Sequence, residues 1–276
     1  MIYVRKADGT LQPFKKSKII KTCLRFRAPK EVAKKVADRI EKEIYDGIPT
    51  KKIIQLIFKY LKEYNPNLAH VIDLREAISA MRPKPDFEAF VAFLLQNLGY
   101  EVVRNVIVPG KCVEHEIDII AKKGDEVTMV EVKHHTNPHT YTGLHIFLEV
   151  WAAFEDIKEG FKEGKHEYNF TKVLVVSNTK VSNHGKKFSE CRKIAHMGWK
   201  YPPNEGLETL IEKFRLYPLA FLKRIERKEI EKLGDIGIVT LKQLVSEDTK
   251  NLSKLTKIRK KRIEELKRYA QKILNI

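Results

Sequence analysis

The sequence predicts a multidomain α/β protein, and three observations support this fold class. Apolar residues at helical spacing dominate both ends of the chain. The middle carries short β-branched runs with helical patterns before and after them, an order typical of a sheet flanked by helices. Prolines in Met81–Asp86 and at Phe214–Pro218 interrupt these patterns. We therefore expect a small, mainly helical domain at 1–82, an α/β domain with a central mixed sheet at 83–216, and an all-α domain at 217–276.

Composition favours a polyanionic partner. The 276 residues include 53 Lys and Arg against 36 Asp and Glu, a formal charge of +17, and such an excess attracts nucleic acid or an anionic membrane surface. No apolar run approaches the roughly 18 residues of a membrane span, and the start of the chain is unlike a signal or transit peptide. We expect a cytoplasmic protein that binds nucleic acid and no membrane. The three cysteines have no C-x-x-C spacing and indicate neither a disulfide framework nor a cysteine-based zinc site.

The first domain opens with a predicted strand, Ile2–Lys6, then a turn signal, a second extended run and helices. The segments VRKADGTLQPFKKSKIIKT and DGIPTKKIIQLIFKYL resemble the ATP-cone, a nucleotide-binding regulatory module, in order and length. The resemblance implies that Val4, Lys6 and Lys18 contact a nucleotide, with ATP or dATP as a regulatory ligand. Ala7 stands where that family usually has arginine. ATP would bind without being hydrolysed, since the sequence has no G-x(4)-G-K-[ST] loop.

The middle domain is predicted to contain a helix, three strands, a helix, a strand and a last helix. Apolar residues at i, i+3 and i+4 predict the first helix in PDFEAFVAFLLQNLGY. The later elements are strands at Glu101–Val108, Val113–Ala121 and Val127–Lys133, a helix at about Tyr141–Glu163, a strand in KVLVVSN and a helix in HGKKFSECRKIAHMGW.

Charged residues interrupt two of these apolar strands, where burial is costly unless the charges hold a metal or each other. Strand alternation puts Glu131 and Lys133 on one face. A pair between Lys122 and Val127, around the four-residue loop KGDE, would bring Asp118 to that face as well. A loop shorter or longer by one residue would place the two carboxylates on opposite faces.

Carboxylate oxygens suit Mg²⁺ or Mn²⁺, so we expect Asp118 and Glu131 to hold such an ion, with the backbone carbonyl of Val132 and waters as further ligands. The ion would polarise a phosphate and lower the pKa of a bound water. Lys133 would orient the attacking water and stabilise the charge that develops on phosphorus. The histidines between positions 134 and 145 have no H-E-x-x-H type of spacing, so we expect no zinc site there.

The pattern D-x(12)-E-V-K, formed by Asp118, Glu131 and Lys133, resembles the PD-(D/E)XK nucleases and in particular the Mrr-like restriction endonucleases. HEIDIIA, VEVK and VVSNTKVS stand in that group's order, from residue 83 to about 200. The resemblance implies a restriction-endonuclease-like fold and a catalytic lysine at position 133. It also implies that Glu88, on the preceding helix, is a supporting acid near the metal-bound water. Glu116 shares a face with Asp118 but lies outside the predicted site.

The last domain has a Gly-x-x-Gly turn between helical patterns and a second turn between Leu255 and Ile263. It resembles tandem helix-hairpin-helix domains, whose turns present backbone N–H groups to a DNA phosphate while basic side chains add charge. From Tyr217 onward there are 16 Lys and Arg against 8 Asp and Glu. The alternative for the basic run KIRKKRIEELKR is a solvated helix face. The residues expected to contact DNA are Gly234, Gly237, Lys257, Arg259, Lys260 and Lys261.

Together these features predict a Mg²⁺-dependent DNA endonuclease that responds to nucleotide binding. Two alternatives stay open. One is a non-catalytic, nucleotide-sensing DNA-binding protein on a nuclease-like scaffold, and the other is an RNA nuclease, because the phosphodiester chemistry is shared. A homodimer is expected by analogy, since duplex cutting with one active site per chain often goes with dimers.

Overall fold

The computed structural model describes residues 2–26, 28–64 and 71–274, and the chain divides into two compact units. The first unit comprises Met1–Val71, Leu222–Arg224 and Arg268–Ile276, and the second comprises Ile72–Phe221 and Ile225–Lys267. The division into three domains at 82/83 and 216/217 stays a prediction.

The first unit begins with the predicted hairpin and continues with helices. Its strands are β1 (Tyr3–Arg5), β2 (Leu11–Pro13) and β3 (Ile48–Pro49). Its first three helices are α1 (Lys16–Arg25), α2 (Lys30–Glu41) and α3 (Thr50–Tyr64). β1 is antiparallel to β2 and parallel to β3. The helices bury apolar residues at helical spacing, as Val36 and Ile40 in α2 show.

The second unit is built on a five-stranded mixed sheet, so the predicted α/β class with a central mixed sheet is confirmed. Its strands are β4 (Glu101–Pro109), β5 (Glu114–Lys123), β6 (Glu126–Lys133), β8 (Lys172–Ser177) and β10 (Ala195–Met197). Their order is β10-β8-β6-β5-β4. β4, β5 and β6 form an antiparallel meander, whereas β6, β8 and β10 run parallel. Two short strands, β7 (Tyr141–Thr142) and β9 (Lys180–Val181), pair separately.

Helices flank this sheet and bury its apolar side chains. They are α4 (Leu74–Ser79), α5 (Glu88–Asn97), α6 (Leu144–Lys162), α7 (Asn183–Arg192) and α8 (Leu207–Phe214). A kinked turn at Pro83–Phe87, in which the Lys84 backbone is extended, lies ahead of α5. The core joins Phe147 and Phe154 of α6 to Ile117 of β5 and Val173 of β8. β5 and β6 are largely buried on both faces, which places any charge in their middle at high cost.

Three local predictions need correction. The helix expected from about Tyr141 begins at Leu144, because the two residues before Gly143 pair as β7. The segment HGKKFSECRKIAHMGW, expected to be one helix, is helical only as far as Arg192. Its later residues form β10, since pairing with β8 overrides the helical pattern. The hairpin loop has two residues, not four, because the ladder closes with one further pair, Lys123 opposite Glu126.

The C-terminal segment is helical, as predicted. It forms α9 (Arg227–Gly234), α10 (Leu241–Ser246), α11 (Thr249–Thr256) and α12 (Lys260–Leu274). In the described residues, no helix combines the length and apolarity that crossing a bilayer would require.

Candidate active site

Asp118 and Glu131 lie on the neighbouring strands β5 and β6. Lys122 pairs with Val127 as predicted, and the same register, continued one step past the last ladder pair, puts Asp118 opposite Glu131. The Val132 N–H donates a hydrogen bond of 2.8 Å to Oδ2 of Asp118. This bond fixes the carboxylate of the buried Asp118 beside the strand that carries the other charged residues.

Lys133 completes the predicted group on the same face of β6. Its Nζ lies 2.7 Å from Oε1 of Glu131. Burial raises the pKa of Glu131 and the charge of Asp118 raises it further, while Lys133 opposes both effects. Burial lowers the pKa of Lys133, but its hydrogen bond and charge attraction to Glu131 outweigh burial, so the net pKa is raised. The lysine is therefore held in its ammonium form.

Glu88 lies in the first turn of α5 and is 2% exposed. Its Oε2 atom is buried and has no hydrogen-bond partner among the described residues. Burial raises the pKa of Glu88, and the nearby charge of Asp118 acts in the same direction. An unpartnered buried carboxylate oxygen is costly, and it is typical of a site that binds an ion, a water or a ligand.

A second lysine, which the sequence analysis missed, joins these carboxylates. Lys84 Nζ lies 2.9 Å from Oε1 of Glu116, 3.3 Å from Oε1 of Glu88 and 3.4 Å from Oδ1 of Asp118. The prolines in Met81–Asp86 indicate only a domain boundary. The available local signal was the i, i+4 spacing between Lys84 and Glu88. The structure thus brings Glu116, left outside the predicted site, to its edge.

The donor atoms fit a small divalent ion. No group of three or more His, Cys, Asp and Glu side chains is arranged for metal binding in residues 2–26, 28–64 and 71–274. Mg²⁺ does not need such a cage, because one or two carboxylates and several waters commonly hold it. Asp118, Glu131 and the Val132 carbonyl supply hard oxygens, and the orphaned oxygen of Glu88 lies in the same charged group. The residues present are therefore compatible with Mg²⁺ or Mn²⁺.

The residues expected to contact a nucleotide lie around the hairpin of the first unit. Val4 is buried in β1 and pairs with Gln12 of β2. Lys18 is exposed, and its Nζ donates to Oε1 of Gln12 at 3.0 Å. Lys6 is exposed just after β1. Gln12 thus contacts two of the three positions, Val4 through strand pairing and Lys18 through its side chain. The Val4 side chain itself packs in the core.

The first C-terminal turn is organised by packing. A Cβ atom at Gly234 would lie 2.2 Å from Oδ1 of Asp86, so this buried position excludes any side chain. Gly237 has a φ of +80°, and its N–H donates to the Gly234 carbonyl. The N–H of Gly237 is thus used within the turn, and the DNA contact expected of Gly234 and Gly237 stays a prediction. Arg82 reinforces the close packing of Gly234 against Asp86, because its guanidinium lies 2.7 Å from Asp86 and 2.9 Å from Asp235.

The second turn carries the exposed basic residues. Lys257 has a φ of +58°, in the left-handed region that favours glycine. Lys257, Arg259, Lys260 and Lys261 are all exposed around the start of α12. The first turn of a helix leaves backbone N–H groups without helical partners, so anions are favoured there.

Two families of known proteins match consecutive segments of the chain. An ATP cone domain model matches residues 2–77, and a restriction endonuclease model of the Mrr catalytic type matches residues 78–197. An uncharacterized protein from Archaeoglobus fulgidus is 37% identical over 165 residues, which are 60% of this chain and 89% of that relative. The chain joins an ATP-cone domain to an Mrr-type restriction endonuclease domain. The two resemblances inferred from the sequence are confirmed, in the predicted order.

Two further matches concern this Mrr-type protein. Another uncharacterized A. fulgidus protein is 48% identical over 42 residues, which are 15% of this chain and 89% of that relative. The crystal structure of a protein of unknown function has a TM-score of 0.60 and 33% identity, and the match covers 74% of this chain and 99% of that one. Neither family model extends past residue 197, so the helix-hairpin-helix assignment of the Mrr-type protein's C-terminal segment stays a prediction.

Proposed function

We propose that this Mrr-type protein is a Mg²⁺- or Mn²⁺-dependent DNA endonuclease whose activity responds to ATP or dATP at its ATP-cone domain. The observation that carries the proposal is the convergence of Asp118, Glu131 and Lys133 on two adjoining, mostly buried strands. Such a group is costly to maintain in a sheet core without a catalytic use.

The residues divide the work of phosphodiester hydrolysis. Asp118 and Glu131, with the Val132 carbonyl, would hold the ion, which when bound supplies a polarised phosphate and a water of lowered pKa. Lys133, held as an ammonium by Glu131, orients the attacking oxygen and offsets the negative charge that develops on phosphorus. Glu88, whose pKa burial raises, is suited to accept the proton that the attacking water loses.

The C-terminal segment would hold the DNA by its phosphates. Lys257, Arg259, Lys260 and Lys261 are exposed at one helix start, and the chain carries a net charge of +17. Contacts of this kind position a duplex without reading its sequence. Duplex cutting with one active site per chain often goes with dimers, so we also propose a homodimer on DNA.

The nucleotide would act as an effector. Val4, Lys6 and Lys18 lie around the first hairpin, and the Lys18–Gln12 hydrogen bond orients one ammonium toward β2. Lysines there offer charge to phosphates, although Ala7 provides none. ATP or dATP would therefore change the cleavage rate without being consumed.

A plasmid cleavage assay tests the proposal. Wild type, Asp118→Asn and Lys133→Met are incubated with supercoiled DNA in Mg²⁺ or Mn²⁺, with and without ATP or dATP. Each variant is expected to lose at least about 100-fold in rate, because each removes charge stabilisation at the reacting phosphate. Lys172→Met is the matched control, since Lys172 of β8 also pairs with a glutamate of β6 but lies opposite Thr128, three residues before the Val175 that pairs with Glu131. It should cut like wild type.

Other outcomes discriminate the alternatives. Equal cleavage by wild type, Asp118→Asn and Lys133→Met would refute the site. DNA that is retarded in a gel but stays intact in both metals would indicate a non-catalytic DNA-binding protein. Digestion of RNA alone in a parallel assay would identify an RNA nuclease. A rate indifferent to ATP and dATP would remove the regulatory part of the proposal only.

A further inference from the structure

Lys84 lies outside the predicted catalytic set, yet its ammonium contacts three carboxylates of the site. We propose that Lys84 is the resident cation of the metal-free site, and that a divalent ion must displace its ammonium from Asp118 to bind. Lys84 thereby sets the metal concentration at which the site fills. The inference rests on the proposed function, because it takes Asp118 as a metal ligand.

Burial explains why a cation is needed in the metal-free protein. The side chains of Glu88 and Asp118 are 3% and 9% exposed. Two carboxylates so far from water are costly unless a positive group compensates them. In the described part of the chain, the ion pairs of both carboxylates run to Lys84. The ammonium therefore supplies the positive charge that a metal would otherwise supply.

The atoms of Asp118 show why the two cations compete. Its Oδ2 accepts from the Val132 N–H at 2.8 Å, whereas its Oδ1 faces the Lys84 ammonium at 3.4 Å. The Oδ1 side is thus where an ion can approach. An ammonium and a divalent ion cannot share that space, because their charges repel at such short distance.

The Lys84 ammonium is also held loosely enough to be displaced. Its shortest contact, 2.9 Å, is with Glu116, whose side chain is 58% exposed, while Lys84 itself is 55% exposed. An ion pair at the surface holds the ammonium only weakly. Displacement also gives up the longer ion pairs of Lys84 with Glu88 and Asp118, whose charges the incoming ion then compensates, and it unpacks none of the core. Lys133 differs, because it pairs with Glu131 at 2.7 Å and keeps a catalytic duty.

Isothermal titration of the metal-free, full-length protein with Mn²⁺, in the absence of DNA, tests the inference. Lys84→Met should bind Mn²⁺ about tenfold more tightly, the effect of removing a competing ion pair of ordinary strength. Glu116→Gln should tighten binding by a smaller factor, because Lys84 loses its anchor. Asp118→Asn should abolish binding, which confirms where the ion sits.

A matched control comes from the first unit. Lys16 Nζ lies 2.5 Å from both Asp38 and Glu41, whose side chains are 56% and 47% exposed. It is likewise a lysine shared between carboxylates, but at the surface. Lys16→Met should leave the Mn²⁺ affinity unchanged, so any effect of Lys84→Met cannot be ascribed to general loss of positive charge.

The outcomes separate this inference from the proposed function. If Asp118→Asn abolishes binding but Lys84→Met binds Mn²⁺ as wild type or more weakly, the role of Lys84 is overturned and the metal site stands. If neither wild type nor Lys84→Met binds Mn²⁺, the metal site itself fails. Circular dichroism checks folding. If Lys84→Met is unfolded, Glu116→Gln at an exposed position decides, and an unchanged affinity there overturns the inference.

Discussion

Two lysines of this protein lie between carboxylates, and their surroundings differ. Lys16 contacts Asp38 and Glu41 on the surface of the first unit, where both acidic side chains are about half exposed. Lys84 contacts two carboxylates of the second unit that are almost fully buried. The pairings use the same chemistry, yet water screens the first group and is excluded from much of the second.

This difference teaches that contact between opposite charges does not by itself mark a functional site. Surface groups such as that around Lys16 typically contribute little to stability and tolerate change, because water screens their charges. Buried carboxylates that face one another, one with an oxygen lacking any described partner, are costly to keep. Burial of like charges, more than their number, therefore distinguishes the candidate active site.

The largest expected effect sharpens this contrast within one strand. Glu131 and Glu126 both lie on β6, and each pairs with a lysine. Glu131→Gln should reduce plasmid cleavage at least about 100-fold, because it removes a metal-binding charge and releases Lys133. Glu126→Gln should cut at the wild-type rate. Equal losses in the two variants would break the distinction between buried and peripheral carboxylates.

A buried ionisable group away from the site provides the second test. His196 of β10 is 6% exposed, and burial, aided by the charge of Lys186, lowers its pKa from 6.5 to about 4. As pH falls, the unfolded chain gains this proton near pH 6.5 but the folded chain only near pH 4. The free energy of unfolding therefore falls across that window, by about 3 kcal/mol at most.

His196→Phe should lose this acid sensitivity while keeping normal cleavage at neutral pH. Denaturant unfolding at pH 7 and pH 4 measures the effect, and the exposed His184→Gln serves as the control. A smaller fall in stability for His196→Phe than for wild type is expected. If the folded His196→Phe variant lost cleavage at neutral pH, the buried His196 would be needed for activity, and the candidate active site would not be the only functional buried group among the described residues.

The smallest effect is expected at exposed lysines, where DNA binding depends on how many positive charges face the phosphates. Lys260 and Lys261 lie in the first turn of α12, and Lys51 and Lys52 lie in the first turn of α3. Replacing the first two by alanine should weaken DNA binding several-fold and reduce the salt dependence by about two charges. The Lys51→Ala/Lys52→Ala pair, measured without nucleotide, should bind DNA normally. Identical losses would assign DNA binding to overall charge.

Much of the site could be predicted because strand geometry is local. Alternation and the Lys122–Val127 pair were enough to bring Asp118 to the face of Glu131. Lys84 could not be found in this way, since the kinked turn at Pro83–Phe87, where Lys84 has an extended backbone, decides where the ammonium lies. β10 was missed for a related reason, because a helical pattern carries no information about a distant partner strand.

Glycine at position 234 illustrates the same limit and has a practical consequence. The contact that excludes a side chain there joins α9 to Asp86, and Arg82 bonds both Asp86 and the Glu231 carbonyl. The stretch bearing Lys84 is therefore braced by one helix, α9, which begins 30 residues after the end of the nuclease-family match at residue 197. Trimming the gene to that match would strip away this brace, so an excised catalytic fragment should be designed to retain α9.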